Sequence, residues 1–393
     1  MSAPTPGLVL IEPYADQAGG HYQHTLHALA AARPDTLIVT PARPRGSFAY
    51  LLTIVAAVVR VTATGSRFVL GPRWWPGSLR RVPYQIELIR RCLTEAACLR
   101  TVRHDGEPGA AVVILTASEG LHTLAAILGG LAHLRFVHEV TTTEDLPLRL
   151  VARLARGARA HVALLCPTVA VQQQVRARFP ELVTRVRTYA VDDGNRLTDV
   201  EIDGARTVFG IPPDATVVCL VGGWWPHKDI TTIGAALTRL VKPLHLLVTG
   251  HPIDHTILDR WRNLPRVQVH IEPGPVPEQI LRLVYAAADA SLIARHAGVG
   301  KESGLVLGAA RLGVPLLVSD HDPDLTHQLI GHRWVRVFRG GSTVSLATAL
   351  DQLTEHRLPR PPRSAPKALG MATAGEQAGF LVDTWREVFG ALR

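Results

Sequence analysis

The chain has 393 residues, 47% of them hydrophobic and 19% charged, which excludes wholesale disorder and is too long for one ordinary core, so two domains of similar size are expected. Its net charge of +9 is carried almost wholly by arginine, the lysines being Lys228, Lys242, Lys301 and Lys367. Cys92, Cys98, Cys166 and Cys219 form no CxxC pair, which argues against a zinc site or disulfide framework and suits a reducing cytoplasm.

The N-terminal stretch from Met1 to Gly7 is small and Pro-rich, without the basic and apolar segments of a secretory signal. The first half then alternates short apolar runs with helix-length segments. Its candidate strands are Leu8–Ile11, Thr36–Thr40, Phe68–Leu70, Val112–Thr116, Arg135–His138, His161–Leu165 and Arg185–Tyr189. Near-continuous Val, Ile and Leu content implies burial on both faces, as in a parallel sheet covered by helices. Segments such as Gly120–Leu131, Leu148–Ala155 and Val169–Phe179 carry Ala, Leu, Arg and Gln at helical spacing, so a doubly wound α/β domain is expected over residues 1–190.

The apolar stretches Leu51–Val59 and Leu121–Leu134 fall short of the roughly 20 residues a membrane span requires. Arg73, Arg80, Arg81, Arg90, Arg91, Arg100 and Arg103 crowd beside Trp74 and Trp75. Peripheral contact with an anionic membrane at its inner face is one reading of that stretch, and an ordinary solvated face is the plainer one. With no zinc-finger spacing, RNP motif or arginine-rich tail, nucleic acid is not the expected partner.

Asp192-Asp193-Gly194-Asn195 is turn chemistry, followed by a polar stretch without sustained periodicity, and residues 191–205 are read as a linker. A second α/β series is expected over residues 206–370. Its candidate strands are Val217–Val221, Leu244–Val248, Val267–Ile271, Ala290–Ile293, Pro315–Ser319 and Val335–Phe338, with helices at Ile230–Leu240, Pro277–Ala287 and Leu305–Leu312. Leu358–Pro366 is Pro-rich and reads as extended. In residues 371–393, Gly375–Leu392 reads as a last helix that could cross back to the first domain. Two Rossmann-like halves of this kind are expected to face a central cleft, with ligands at the C-terminal strand ends.

Three places carry candidate chemistry. After the first strand, Gly19-Gly20 precedes a helix that would begin near His21, a pattern that lets backbone N–H groups approach an anion and that a structural turn explains as well. After Val221 comes Gly222-Gly223-Trp224-Trp225-Pro226-His227-Lys228-Asp229. A fixed cation at Lys228 would neutralise a diphosphate, whereas the plainer reading is a helix-start lysine with Asp229 as the cap. After Ile293, a loop carries Arg295, His296, Lys301 and Glu302 and leads to a helix near Ser303-Gly304. Free N–H groups at that helix start would hold a phosphate, and Glu302 could instead accept hydrogen bonds from ribose or sugar hydroxyls. The histidines, including His251, His255, His321 and His327, form no ligand frame, so no metal cofactor is expected.

The succession of strand, Gly-Gly and helix, then Gly222 to Asp229, then Ala287 to Arg295 and Lys301 to Asp320 resembles the family 4 glycosyltransferases, most clearly between Val217 and Asp320. These are retaining enzymes of GT-B fold. The resemblance implies metal-independent transfer of a sugar from a nucleotide-diphosphate donor, of UDP or GDP type, to a small-molecule, glycan or lipid-linked acceptor. It implies that Gly19 and Gly20 approach the donor phosphate, that Lys228 holds the diphosphate and that His138 touches the donor sugar. Arg295 with Ser303-Gly304 matches a variant of the last motif, with Lys301 and Glu302 beside it, and His21, His24 and Glu139 are candidates for the acceptor side. Two positions depart from the family pattern: Gly223 stands where an arginine is usual, and Gly308 where a second glutamate is usual. These departures motivate a second reading, a non-catalytic GT-B relative serving as a partner or scaffold subunit. A nucleotide-sugar epimerase of the same fold is a third.

Overall fold

A computed structural model describes residues 7–13, 21–40, 82–105, 109–117, 121–138, 161–274, 276–298 and 302–390. The chain divides into two compact units.

The first unit is built on a parallel sheet of β1 (Leu8–Ile11), β2 (Thr36–Val39), β3 (Ala111–Ile114), β4 (His133–Phe136), β5 (Val162–Cys166) and β6 (Val183–Val186), ordered β2-β1-β3-β4-β5-β6. Strands β1, β3, β4 and β5 are buried along their whole length, as their apolar runs require. The connecting helices are α1 (His21–Ala32), α2 (Val82–Asp105), α3 (His122–Gly129) and α4 (Val169–Arg178). Thr168 caps α4 by accepting from the Val171 N–H.

Helix α2 accounts for the second part of the basic stretch. It buries Leu88, Cys92, Ala96, Leu99 and Val102 at helical spacing, while Arg100 and Arg103 stay exposed. Arg73, Trp74, Trp75, Arg80 and Arg81 lie outside the described residues, as do the candidate strand Phe68–Leu70 and the candidate helix Leu148–Ala155. No described helix is long and apolar enough to cross a membrane.

Strand β4 begins two residues earlier than its apolar pattern suggests, because His133 and Arg135 point into the interior. Arg135 is fully buried and donates through Nη2 to Glu95 of α2 at 2.6 Å. Such a charge survives burial only when paired and hydrogen-bonded. Arg135 Nη1 also lies 3.3 Å from His133 Nε2, and His133 Nδ1 lies 2.9 Å from the Leu131 carbonyl. A carbonyl only accepts, so His133 carries its proton on Nδ1 and accepts at Nε2.

Strand β7 (Val191–Asp192) carries the chain into the second unit. Residues 199–205, read from the sequence as part of an aperiodic linker, instead belong to α5 (Asp199–Val208). A capping box starts it: Thr198 accepts from the Glu201 N–H, and the Glu201 carboxylate reaches back to the Thr198 N–H. Polar residues mask its period, because much of what holds it is Arg282 paired with Glu201 at 2.8 Å.

The second sheet, also parallel, comprises β8 (Val217–Val221), β9 (Leu244–Gly250), β10 (Val267–Pro273), β11 (Ala290–Ile293), β12 (Leu316–Ser319) and β13 (Val335–Phe338), ordered β10-β9-β8-β11-β12-β13. Its helices are α6 (Ile230–Leu237), α7 (His255–Arg262), α8 (Glu278–Ala287), α9 (Gly304–Leu312), α10 (Pro323–Leu329), α11 (Thr343–Glu355) and the short α12 (Ala365–Ala368). Strand β14 (Ala372–Thr373) leads back to the first unit, where α13 (Ala374–Phe389) lays Leu381, Val382, Trp385 and Phe389 into the core formed with β1, β3, β4 and β5.

In each sheet the order reverses direction once, between β1 and β3 and between β8 and β11. Strand ends at such a reversal part the flanking loops and leave room for a ligand.

Candidate functional site

At the reversal in the second unit, β8 ends in Gly222-Gly223. Gly222 adopts φ +86° and gives its N–H to the Thr249 carbonyl at 2.8 Å. A Cβ on Gly222 would stand 3.4 Å from Lys228 Nζ and 3.8 Å from Leu305 Cδ2, so this backbone, the lysine and the first turn of α9 surround one spot. A Cβ on Gly223 would lie 2.2 Å from the His251 carbonyl oxygen. No side chain fits there without a shift of that backbone.

Lys228 follows a tight turn, its N–H bonded to the Trp225 carbonyl at 2.8 Å, and Asp229 caps α6 by accepting from the Thr232 N–H at 3.0 Å. The lysine is 8% exposed and donates through Nζ to the carbonyls of Val221 and Gly222 at 2.6 and 2.8 Å. An ammonium has three donors, so one remains. Burial, with the Arg295 charge adding to it, pulls the Lys228 ammonium down to about 7.

Arg295 lies just beyond β11. Residues 227–229 run antiparallel to 294–296: the Asp229 N–H bonds the Ala294 carbonyl at 3.1 Å, the His296 N–H bonds the His227 carbonyl at 3.0 Å, and Lys228 pairs with Arg295 between them. The Arg295 N–H is taken by Ser319 Oγ at 3.0 Å. Its side chain is 5% exposed, and guanidinium Nε and Nη1 have no hydrogen-bond partner among the described residues. Burial lowers its pKa to about 10, the Asp322 charge opposing, which leaves it cationic at neutral pH.

Ser303 is the N-cap of α9 but makes no capping bond, and its buried Oγ is without a partner among the described residues. Gly304 opens the helix. Glu302 is partly buried beside it, and Lys301 lies outside the described residues. Gly308 lies inside α9, where a methyl group in place of its hydrogen would meet nothing within 4 Å.

The structure therefore brings Lys228, Arg295 and the start of α9 into one region of the second unit. His138 and His24 belong to the first unit. His138 follows β4, holds the Leu115 carbonyl through Nε2 at 3.0 Å and meets the Tyr189 ring edge-on at 4.5 Å. Nε2 must donate in that contact. His24 is partly buried on α1, and His21 begins the same helix. Gly19, Gly20 and Glu139 lie outside the described residues. Among the described residues, no group of three or more His, Cys, Asp or Glu side chains could hold a metal ion.

Ser319, which the sequence did not single out, and His321, named there only among the histidines without a ligand frame, complete the region. Ser319 ends β12, and His321, 2% exposed, places Nδ1 2.9 Å from the Ser319 carbonyl and 3.0 Å from Ser319 Oγ. In the first unit the reversal holds a buried carboxylate, Glu12, which accepts from Thr116 Oγ1 at 2.8 Å.

No protein-family model and no curated protein matches this sequence. Solved structures do. HepE from Anabaena, crystallised with UDP-glucose, is 15% identical over 98% of each chain with a TM-score of 0.59. A glycosyltransferase from Rickettsia africae is 10% identical over 98% of this chain and 99% of its own, with a TM-score of 0.61. The catalytic domain of starch synthase IV from Arabidopsis thaliana, bound to ADP and acarbose, is 13% identical over 98% of this chain and 100% of its own, with a TM-score of 0.60. The fold is GT-B, with two Rossmann-like domains.

Proposed function

We propose that this chain is a glycosyltransferase of the family 4 type, which moves a sugar from a UDP- or GDP-type donor to an acceptor with retention of configuration. One observation carries the reading. Lys228 and Arg295 are two buried basic groups at the sheet reversal, and among the described residues neither makes a salt bridge, the Asp322 charge acting on Arg295 without direct contact. Two buried cations with one carboxylate, Asp322, acting on Arg295 leave positive charge uncompensated, so this arrangement is suited to an anion supplied from outside the chain. Support comes from the GT-B fold, which this chain shares with proteins crystallised with UDP-glucose and with ADP.

As the bond from the sugar to the β-phosphate breaks, negative charge gathers on the departing diphosphate. The guanidinium of Arg295, the remaining Lys228 donor and the first N–H groups of α9 are fixed in place before the reaction, and such preorganised donors contribute most when charge develops. In this reading they do the work a metal ion would otherwise do. An arriving diphosphate raises the proton affinity of Lys228, so its ammonium is completed on binding. His138, His21, His24 and Glu139 are assigned to the sugar and acceptor on the family resemblance, as are Gly19, Gly20 and Lys301 to the donor phosphates, with Glu302 on the sugar hydroxyls.

The test is a thermal-shift panel of UDP, GDP, ADP and dTDP followed by donor turnover. At least one nucleotide raises the melting temperature, and Lys228→Ala and Arg295→Ala each abolish the rise. A flat response across the panel overturns the reading. The open position at Gly308 favours a second reading, a non-catalytic relative acting as a scaffold or partner subunit, because the second carboxylate of the family motif is simply missing. That protein would bind nucleotide yet release none with any combination of donor and acceptor.

A further inference from the structure

We infer that His321 is a specificity-determining residue of this site, accepting through Nε2 a hydrogen bond from a hydroxyl of the sugar attached to the phosphate that Arg295 holds, and not from the ribose. This rests on the nucleotide-sugar reading and refines it, since it requires a ligand that carries a hydroxyl close to its phosphate.

Ser319 ties the two residues together. Its hydroxyl oxygen accepts the Arg295 N–H at 3.0 Å and lies 3.0 Å from His321 Nδ1. The His321 carbonyl in turn accepts the Gly298 N–H at 3.1 Å, which anchors the loop leaving Arg295. Arg295 and His321 are therefore fixed relative to each other by hydrogen bonds at the ends of two neighbouring strands.

The tautomer follows from the same contacts. His321 Nδ1 lies 2.9 Å from the Ser319 carbonyl, which can only accept, so Nδ1 carries a proton. The Ser319 hydroxyl proton is then free to point to the Arg295 carbonyl, 3.4 Å away. Burial and the Arg295 charge hold the imidazole below its ordinary range, while Asp320 and Asp322 pull the other way. The neutral ring leaves Nε2 as a bare acceptor. That atom is buried and has no partner among the described residues, and the same is true of Arg295 Nε and Nη1. Leaving a buried acceptor unsatisfied is costly, and a ligand hydroxyl would satisfy it. An oxyanion would not: it offers no proton, and an acceptor beside it repels. Cation and acceptor together thus favour a glycosyl phosphate over a bare pyrophosphate.

The experiment compares His321→Asn and His321→Phe with the unsubstituted protein by calorimetric titration of UDP and UDP-glucose, or of GDP and GDP-mannose if the panel selects guanine. Asparagine keeps an N–H for the Ser319 carbonyl but presents no acceptor where Nε2 stands, so it isolates the proposed contact even if the phenylalanine variant fails to fold. The expected result is roughly a fivefold to tenfold loss of affinity for the sugar nucleotide, with the free nucleoside diphosphate within about twofold of its original value. Equal loss for both ligands, or no loss for either, overturns the role of His321 and leaves the nucleotide site standing. Absence of nucleotide binding in the unsubstituted protein overturns the nucleotide-sugar reading itself, and the role of His321 with it.

Discussion

Lys228 and Arg295 face each other across a single antiparallel bridge, the neighbours of one bonded to the neighbours of the other, so two basic side chains leave the same short ladder. Strands β8 and β11 deliver them there, because the sheet reverses its order between those two strands.

Under the proposed function, that placement makes anion binding proton-linked. The Lys228 ammonium is lowered from 10.5 to about 7 by burial and by Arg295. Between about pH 7 and 10.5 the unfolded chain binds a proton here that the folded chain does not, so this group makes stability rise with pH across that window. Below about pH 7 both states are protonated and the penalty of the buried charge is present in full. Lys228→Met removes this slope, which denaturant melts at about pH 6.5, 8 and 9.5 will show. The opposite trend holds for the ligand. Diphosphate affinity falls as pH rises through about 7 in the unsubstituted protein, and titration in buffers of different ionisation enthalpy registers proton uptake on binding.

Gly223 and Gly308 sit in opposite surroundings. A methyl group on Gly223 meets the His251 carbonyl oxygen, which is backbone and cannot step aside, whereas one on Gly308 meets nothing within 4 Å. Gly223→Ala is expected to destabilise the second unit by about 1–3 kcal/mol or more. Gly308→Ala, inside α9, is expected to stabilise it by about 0.5–1 kcal/mol through helix propensity. Urea midpoints measured on the two variants check the sign of each effect.

The sequence made some of this legible and hid the rest for identifiable reasons. Strands Val217–Val221 and Ala290–Ile293 coincide with their expected ranges, the first an unbroken apolar run that ends at Gly222-Gly223 and the second interrupted only by Ser291. Lys228 stood out because lysine is scarce, and Arg295 because a basic residue directly follows a buried strand. The capping box of α5 was readable in Thr198 and Glu201, but its polar face hid the helical period. Nothing local marks Ser319 and His321, whose significance comes from a main-chain N–H 24 residues earlier. The crowding at Gly223 likewise depends on the carbonyl of His251, a relationship that exists only once β8 and β9 are paired.

Within the first unit, the pair of Glu95 and Arg135 has no exposed side-chain surface and a separation of 2.6 Å. Removing one partner strands the other charge in an apolar core, so Arg135→Met is expected to cost about 3–5 kcal/mol. Replacing both, as Glu95→Leu with Arg135→Met, recovers most of that loss, because the uncompensated charge is gone. A double-mutant cycle in urea measures the coupling, and strict additivity of the two single effects would contradict it.

The last helix offers the sharpest test of how the first unit is held together. Helix α13 follows the whole second unit in sequence, yet Leu381, Val382, Trp385 and Phe389 share one core with Leu8, Val113, Phe136 and Leu165. Trp385 also donates from its indole N–H to the Ala132 carbonyl at 3.3 Å, just before β4. Trp385→Ala removes both packing and that bond, at an expected cost of about 3–5 kcal/mol. The loss belongs to the first unit alone. Hydrogen exchange should therefore quicken in β1, β3, β4 and β5 while β8, β9 and β11 keep their protection, and uniform acceleration in both sheets would contradict the assignment of α13 to the first core.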